Sequence, residues 1–109
     1  MKIKIDVALK GVDGVETLKT DNGRNLTLRD VCINSVLTPL EGDDEKKKLE
    51  KYDVFKKIRD AKEKEIDLTA EEIVLIKRAI GKVNSTIVVG QCFELLEDNS
   101  VKEPKLVKK

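Results

Sequence analysis

Apolar and polar residues alternate at the start of the chain. Ile3, Ile5 and Val7 fall on one side of an extended segment, and Lys2, Lys4, Asp6 and Ala8 on the other. A period of two predicts a strand with one buried face. GVDG at 11–14 predicts a turn, because glycine and aspartate accept unusual backbone angles. VETLKT at 15–20 sets Val15 and Thr17 against Glu16 and Leu18 and reads as a returning strand, with DNGRN at 21–25 as the next turn. No internal repeat is read.

From Thr27 onwards the period lengthens to that of a helix. Thr27 and Asp30 approximate a capping box, Leu28, Val31, Cys32, Val36 and Leu37 recur at helical spacing, and Pro39 ends the run. EGDDE at 41–45 masses carboxylates where a helix dipole favours them. It opens a helix reaching about Lys64, with a narrow apolar stripe of Leu49, Tyr52, Phe55, Ile58 and Ala61. Asp44–Lys48, Asp53–Lys57 and Asp60–Lys64 stand at i,i+4 along it. EIDL at 65–68 is too short to classify firmly and is a candidate third strand. T-A-E-E at 69–72 is a full capping box for a helix running to Ile80 and stopping at Gly81. A last helix starts at Ser85 or Thr86 and carries Val88, Val89, Cys92, Phe93, Leu95 and Leu96. The expected fold class is α+β: a short β-hairpin or meander packed on about four helices. One domain over 1–97 is followed by a lysine-rich tail over 98–109, expected to be frayed.

Composition narrows the function classes. The 22 basic and 21 acidic residues among 109 nearly cancel, so no long-range field gathers nucleic acid or anionic membrane. No apolar run is long enough to span a bilayer, and the N-terminus lacks the apolar core of a signal peptide. The expected location is therefore the cytosol, and Cys32 and Cys92 are expected to be buried, reduced thiols. Histidine is absent, which removes Ser-His-Asp and Cys-His sites and histidine-ligated metals. Neither GxxxxGK[ST] nor GxGxxG occurs. With no tryptophan, one tyrosine and two phenylalanines there is little to stack bases on. No catalytic residue, cofactor, metal or small-molecule substrate is expected. An enzyme built from Asp, Glu, Lys and Tyr alone is the least favoured reading.

Three constellations remain. The carboxylates of EGDDE and TDNGRN, and the Glu71–Glu72 pair, read as caps and turns; a weak Mg²⁺ or Ca²⁺ site is the alternative. Lys46, Lys47, Lys48, Lys56, Lys57 and Arg59 could track a phosphate backbone, but residues 43–65 hold eight acids against nine bases. The third is the breadth of the last two helices. Ile73, Val74, Leu75 and Ile76 run in succession, and Ile87 widens the band of the final helix. Helices apolar on more than one side either lie centrally in a core or bury one side in a partner. The surplus falls on Val74, Ile87, Val88 and Leu95, the candidate protein interface, and self-association is expected from it.

NLTLRDVCINSVL, KYDVFKKI, LTAEEIVLIKRAIGK and VVGQCFELLE together resemble small uncharacterised proteins encoded in phage and prophage genomes. Those share a short N-terminal β segment, a leading L-T-L helix, a Y-x-x-F-x-K-I helix and a closing helix hairpin, a likeness covering most of residues 1–97. The resemblance implies an accessory protein in the host cytoplasm that acts by binding a host or phage protein, as an inhibitor or an assembly factor. The alternative is a nucleic-acid-associated regulator using the lysine-rich helix and tail.

Overall fold

In the computed structural model, which describes residues 2–62 and 64–97, β1 (Lys2–Lys4) pairs antiparallel with β2 (Glu65–Asp67), Ile3 opposite Ile66. Between and after them lie α1 (Leu28–Leu37), α2 (Glu45–Asp60), α3 (Ala70–Val83) and α4 (Thr86–Glu97). The chain is an α+β domain. Ile3 and Ile66 both point into the core, as the alternation around them requires. The partner of the first strand is thus EIDL, some sixty residues on, rather than VETLKT. The lysine-rich tail lies outside the described residues.

The segments expected to form a hairpin or meander do pair antiparallel, but through single bridges and a closed ring in place of full strands. Leu9 donates its N–H to the carbonyl of Leu26 at 2.9 Å, Leu26 donates to Leu18 at 2.8 Å, and Leu18 donates to Leu9 at 2.8 Å. The three backbones close a head-to-tail ring, with Leu9 fully buried and Leu18 and Leu26 packed against the core. Single antiparallel bridges, Ala8 with Thr27, Lys10 with Thr17 and Lys19 with Asn25, join the same segments in pairs.

Contrary to the expectation of no internal repeat, a short one builds this ring. Leu9-Lys10 is followed by a turn in which Gly14 donates to the carbonyl of Gly11, and Leu18-Lys19 by a turn in which Gly23 donates to Thr20. Gly14 and Gly23 stand at the same position of each unit with φ of 74° and 84°, a region in which any side chain would be strained. Leu18 rather than Val15 and Thr17 therefore supplies the inward residue of the returning segment, and Val15 faces water.

The helices start where their caps put them. Thr27 and Asp30 form a complete capping box for α1, Thr69 and Glu72 form one for α3, and Asp44 accepts from Lys47 N–H to cap α2. Two ends differ from expectation. α2 stops at Asp60, where the Arg29 guanidinium donates to the carbonyls of Ile58 and Ala61 at 2.8 and 2.9 Å while also binding Asp6. A cation on the last carbonyls is where a helix dipole favours one. α3 continues through Gly81 to Val83, where Asn84 caps it and hydrogen-bonds the buried Ser35 of α1. Glycine inside a helix costs about 1 kcal/mol relative to alanine; here the Phe93 ring lies 3.9 Å from where its Cβ would be.

The core is aliphatic, as the shortage of aromatics demands. Ile5, Leu28, Ile58, Leu68, Ile76, Ile80 and Leu96 are all essentially inaccessible to water. α4 is fastened to the N-terminal ring by Gln91, whose side-chain amide both donates to and accepts from the backbone of Lys10. Cys32 and Cys92 are buried free thiols within this core. Burial pushes the Cys92 thiol up to about 12 and the Cys32 thiol higher, the neighbouring Cys92 adding to the latter. At pH 8 the thiolate fraction of Cys92 is lower than that of an ordinary cysteine by roughly a thousandfold. Ellman's reagent is therefore expected to leave both thiols of the native protein unmodified and to titrate both once urea unfolds it; prompt labelling of the native protein would contradict this packing.

Candidate protein-binding surface

α2 presents its faces in an order that its sequence does not suggest. Its buried face is Lys51, Val54 and Ile58, with Phe55 half-buried beside them. The stripe read from the sequence is therefore split. Ile58 turns inwards, whereas Leu49 and Tyr52 remain 58% and 48% exposed.

The reason lies in the preceding loop. The Lys51 ammonium donates to the Asp43 carboxylate at 2.7 Å and to the carbonyl of Thr38, the C-cap of α1, at 2.9 Å. The two side chains are 6% and 1% exposed. A lysine that satisfies the end of one helix and the loop leading to the next fixes the angular setting of α2, and Tyr52, one residue on, is turned outwards. The Lys51 hydrogen bond holds the Asp43 carboxyl below the usual carboxylate range against the opposing effect of its burial, helped by the N–H of Leu40 and the charge of Arg78. Its second oxygen has no hydrogen-bond partner and lies 3.9 Å from Arg78. The cover over this carboxylate shuts out water but is thin, so it is neither a deep core ion pair nor a surface one.

Above this pair, Leu37 from the end of α1, exposed to 51%, and Tyr52 line one open hollow of about 300 Å³ together with Pro39 and Lys48. Leu49 stands one turn from Tyr52 on the same helix. Tyr52 and Phe55 rings meet at 5.9 Å, with Lys56 5.0 Å from the Tyr52 centroid and Arg59 5.2 Å from that of Phe55. The result is an apolar and aromatic surface with a cationic border, made where α1 hands over to α2.

The interface residues read from the sequence are placed differently from one another. Val74 is 65% exposed and lines a groove of about 620 Å³ between α2 and α3, with Val54, Leu75 and Arg78. Ile87, Val88 and Leu95 do not line that groove; all three are half-buried, and Val88 and Leu95 pack against the core. Much of the apolar surplus of α4 is therefore absorbed internally. Besides Val74, large apolar or aromatic side chains stand exposed at Leu37, Leu49 and Tyr52, which the sequence places in helical stripes and not in an interface. The sequence carries no signal for this, because nothing in it marks Lys51 as buried.

The lysines of α2 do not form one basic stripe. Lys57 crosses to Glu72 at 2.8 Å and Lys47 pairs with Glu50 at 3.3 Å. Among the described residues no three or more metal-ligating side chains gather, and no helix is long and apolar enough to cross a membrane. The fold and surface thus define a small α+β domain with an exposed apolar corner. Compared with protein-family models, curated proteins and solved structures, the chain matches none.

Proposed function

We propose that this is a non-enzymatic accessory protein of phage type that acts by binding another protein, as a host or defence inhibitor or as an assembly factor. The observation that supports it is the exposed corner of Leu37, Leu49 and Tyr52. Large apolar and aromatic side chains grouped on a surface mark interaction sites, and tyrosine is enriched among residues that dominate binding energy. The setting of the corner over the Asp43–Lys51 pair also supports it, because that pair orients the surface before any partner arrives. Self-association through Val74, Ile87, Val88 and Leu95 is the competing assignment of the binding face.

The test compares tagged protein with Leu49→Asp and Val74→Asp in capture from bacterial lysate, alongside light scattering of each purified protein. Both positions are exposed, so both variants are expected to fold. Leu49→Asp is expected to reduce capture of a stoichiometric protein by at least about tenfold, the loss typical of a residue central to an interface, and Val74→Asp to leave it intact. A homo-oligomer broken by Val74→Asp and untouched by Leu49→Asp would move the binding face to α3 and α4. Capture insensitive to both variants would defeat the reading.

A further inference from the structure

The border of the corner says what kind of partner it fits. Side chains advance by 100° per residue around a helix, so Lys48, Tyr52, Phe55, Lys56 and Arg59 share one flank of α2. Three of these five are cations. One acid, Glu45 in the first turn, shares the flank; Asp53 borders it at mid-helix, and Asp60 stands in the last turn, where Arg59 holds it at 2.8 Å. Lys56 lies 4.0 Å from Asp53, an exposed contact. Pairs of this exposed kind are worth little in water and yield readily to a better-placed carboxylate. Resting on the protein-binding reading above, we propose that this face docks an acidic segment of another protein that carries its own apolar anchors, its carboxylates falling on Lys48, Lys56 and Arg59 while its apolar side chains cover Leu37, Leu49 and Tyr52.

Charge disfavours a second copy of the same face, which would set these cations against one another. Nucleic acid shares the negative charge but not the rest of the chemistry. The centre of the surface is aliphatic, and the two rings that could stack on bases already carry Lys56 and Arg59 at 5.0 and 5.2 Å from their centroids. Leu49 to Arg59 spans about 15 Å along the helix axis, the length of about three turns of a partner helix.

The test uses the full-length, isotope-labelled protein titrated with defined probes and followed by amide shifts. The probes are an acidic amphipathic peptide of leucine and glutamate, its counterpart with lysine in place of glutamate, and a thymidine oligonucleotide. The acidic peptide is expected to shift residues 37, 48–52 and 55–59, to bind at least about tenfold more tightly than its basic counterpart, and to weaken as salt screens the border. The double variant Lys48→Glu/Lys56→Glu is expected to reverse that preference. Equal binding of the two peptides, binding of the oligonucleotide alone, shifts elsewhere on the protein, or no binding would each overturn the proposal. The two levels separate cleanly. Peptide binding that fails while lysate capture still depends on Leu49 defeats the acidic partner and leaves the binding surface standing. Capture insensitive to Leu49 defeats the surface itself.

Discussion

Leu9→Ala is expected to lower the free energy of unfolding by about 2–5 kcal/mol, the cost of removing a large aliphatic side chain from a closed core. Leu9 is fully buried and belongs to the ring in which its backbone gives a hydrogen bond to Leu26 and takes one from Leu18. A domain of this size has about 5–15 kcal/mol in all, so the loss is a large share of its stability. The distinctive readout is amide exchange. In a ladder, fraying at one end leaves the other end protected. In a ring of three donors no member is terminal, so the amides of Leu9, Leu18 and Leu26 are expected to lose protection together in the variant. Loss of protection at Leu9 alone, with Leu18 and Leu26 unchanged, would show that the three hydrogen bonds do not act as a unit. Urea unfolding supplies the free energy, with an unchanged slope expected if only the native state is affected.

Lys51→Met is the second large effect. It keeps the aliphatic stem and deletes the charge, leaving Asp43 shut away without its ammonium and the Thr38 carbonyl without its donor. Removing one partner of such a pair costs far more than replacing both, because the remaining charge has no water to turn to. The variant is thus expected to lose much more thermal stability than Lys48→Met, one turn away and exposed, and Asp43→Leu in the same chain is expected to restore a substantial part of it. The pH dependence fixes the sign. In the native protein the Asp43 carboxyl titrates below its ordinary 3.8, so its contribution is present above that value and disappears as pH falls through the lower, folded one. Deleting the ammonium removes the principal cause of that lowering. The deficit of Lys51→Met is therefore expected to be greatest near neutrality and to shrink on acidification below about pH 4. A deficit that stays constant from pH 7 to pH 3 would mean that the lost packing, not the uncompensated charge, carries the effect.

What the sequence displayed and what it hid follow from the range of the interactions involved. Thr27 with Asp30 and Thr69 with Glu72 are contacts across three residues, so both helix starts could be read directly. Pro39 and the alternation around Ile3 are equally local. The partner of the first strand was not legible, since Ile66 lies far along the chain and its strand has only three residues. The leucine repeat is hard to see because its spacings of nine and then eight residues match neither strand nor helix, although Leu-Lys recurs at 9–10 and 18–19 with a glycine five residues after each of those two leucines. The candidate surface was obscured by Lys51. Composition assigns a lysine to solvent, so Leu49, Tyr52, Phe55 and Ile58 looked like a single face. Only the ion pair with Asp43, eight residues upstream in a loop, turns that face aside. Val74 is exposed on α3, whereas the half-buried setting of Ile87, Val88 and Leu95 goes with α4 meeting Lys10 through Gln91, a contact across eighty-one residues.

The leucine ring also separates holding from display. Each of the loops 11–16 and 20–24 leaves and re-enters through backbone hydrogen bonds, from Gly11 to Glu16 and from Thr20 to Arg24, that make no use of the side chains at its tip. Val12 and Val15 sit wholly outside the core, and the turn glycines have open space around them. Lengthening such a loop costs little, since closure entropy grows only with the logarithm of length. The N-terminal quarter of the chain is therefore a clasp bearing two fingers: with Gly14 and Gly23 kept for their positive φ and Asp13 for the N–H groups of Val15 and Glu16, the other tip residues are free to drift while the clasp that anchors α4 stays the same.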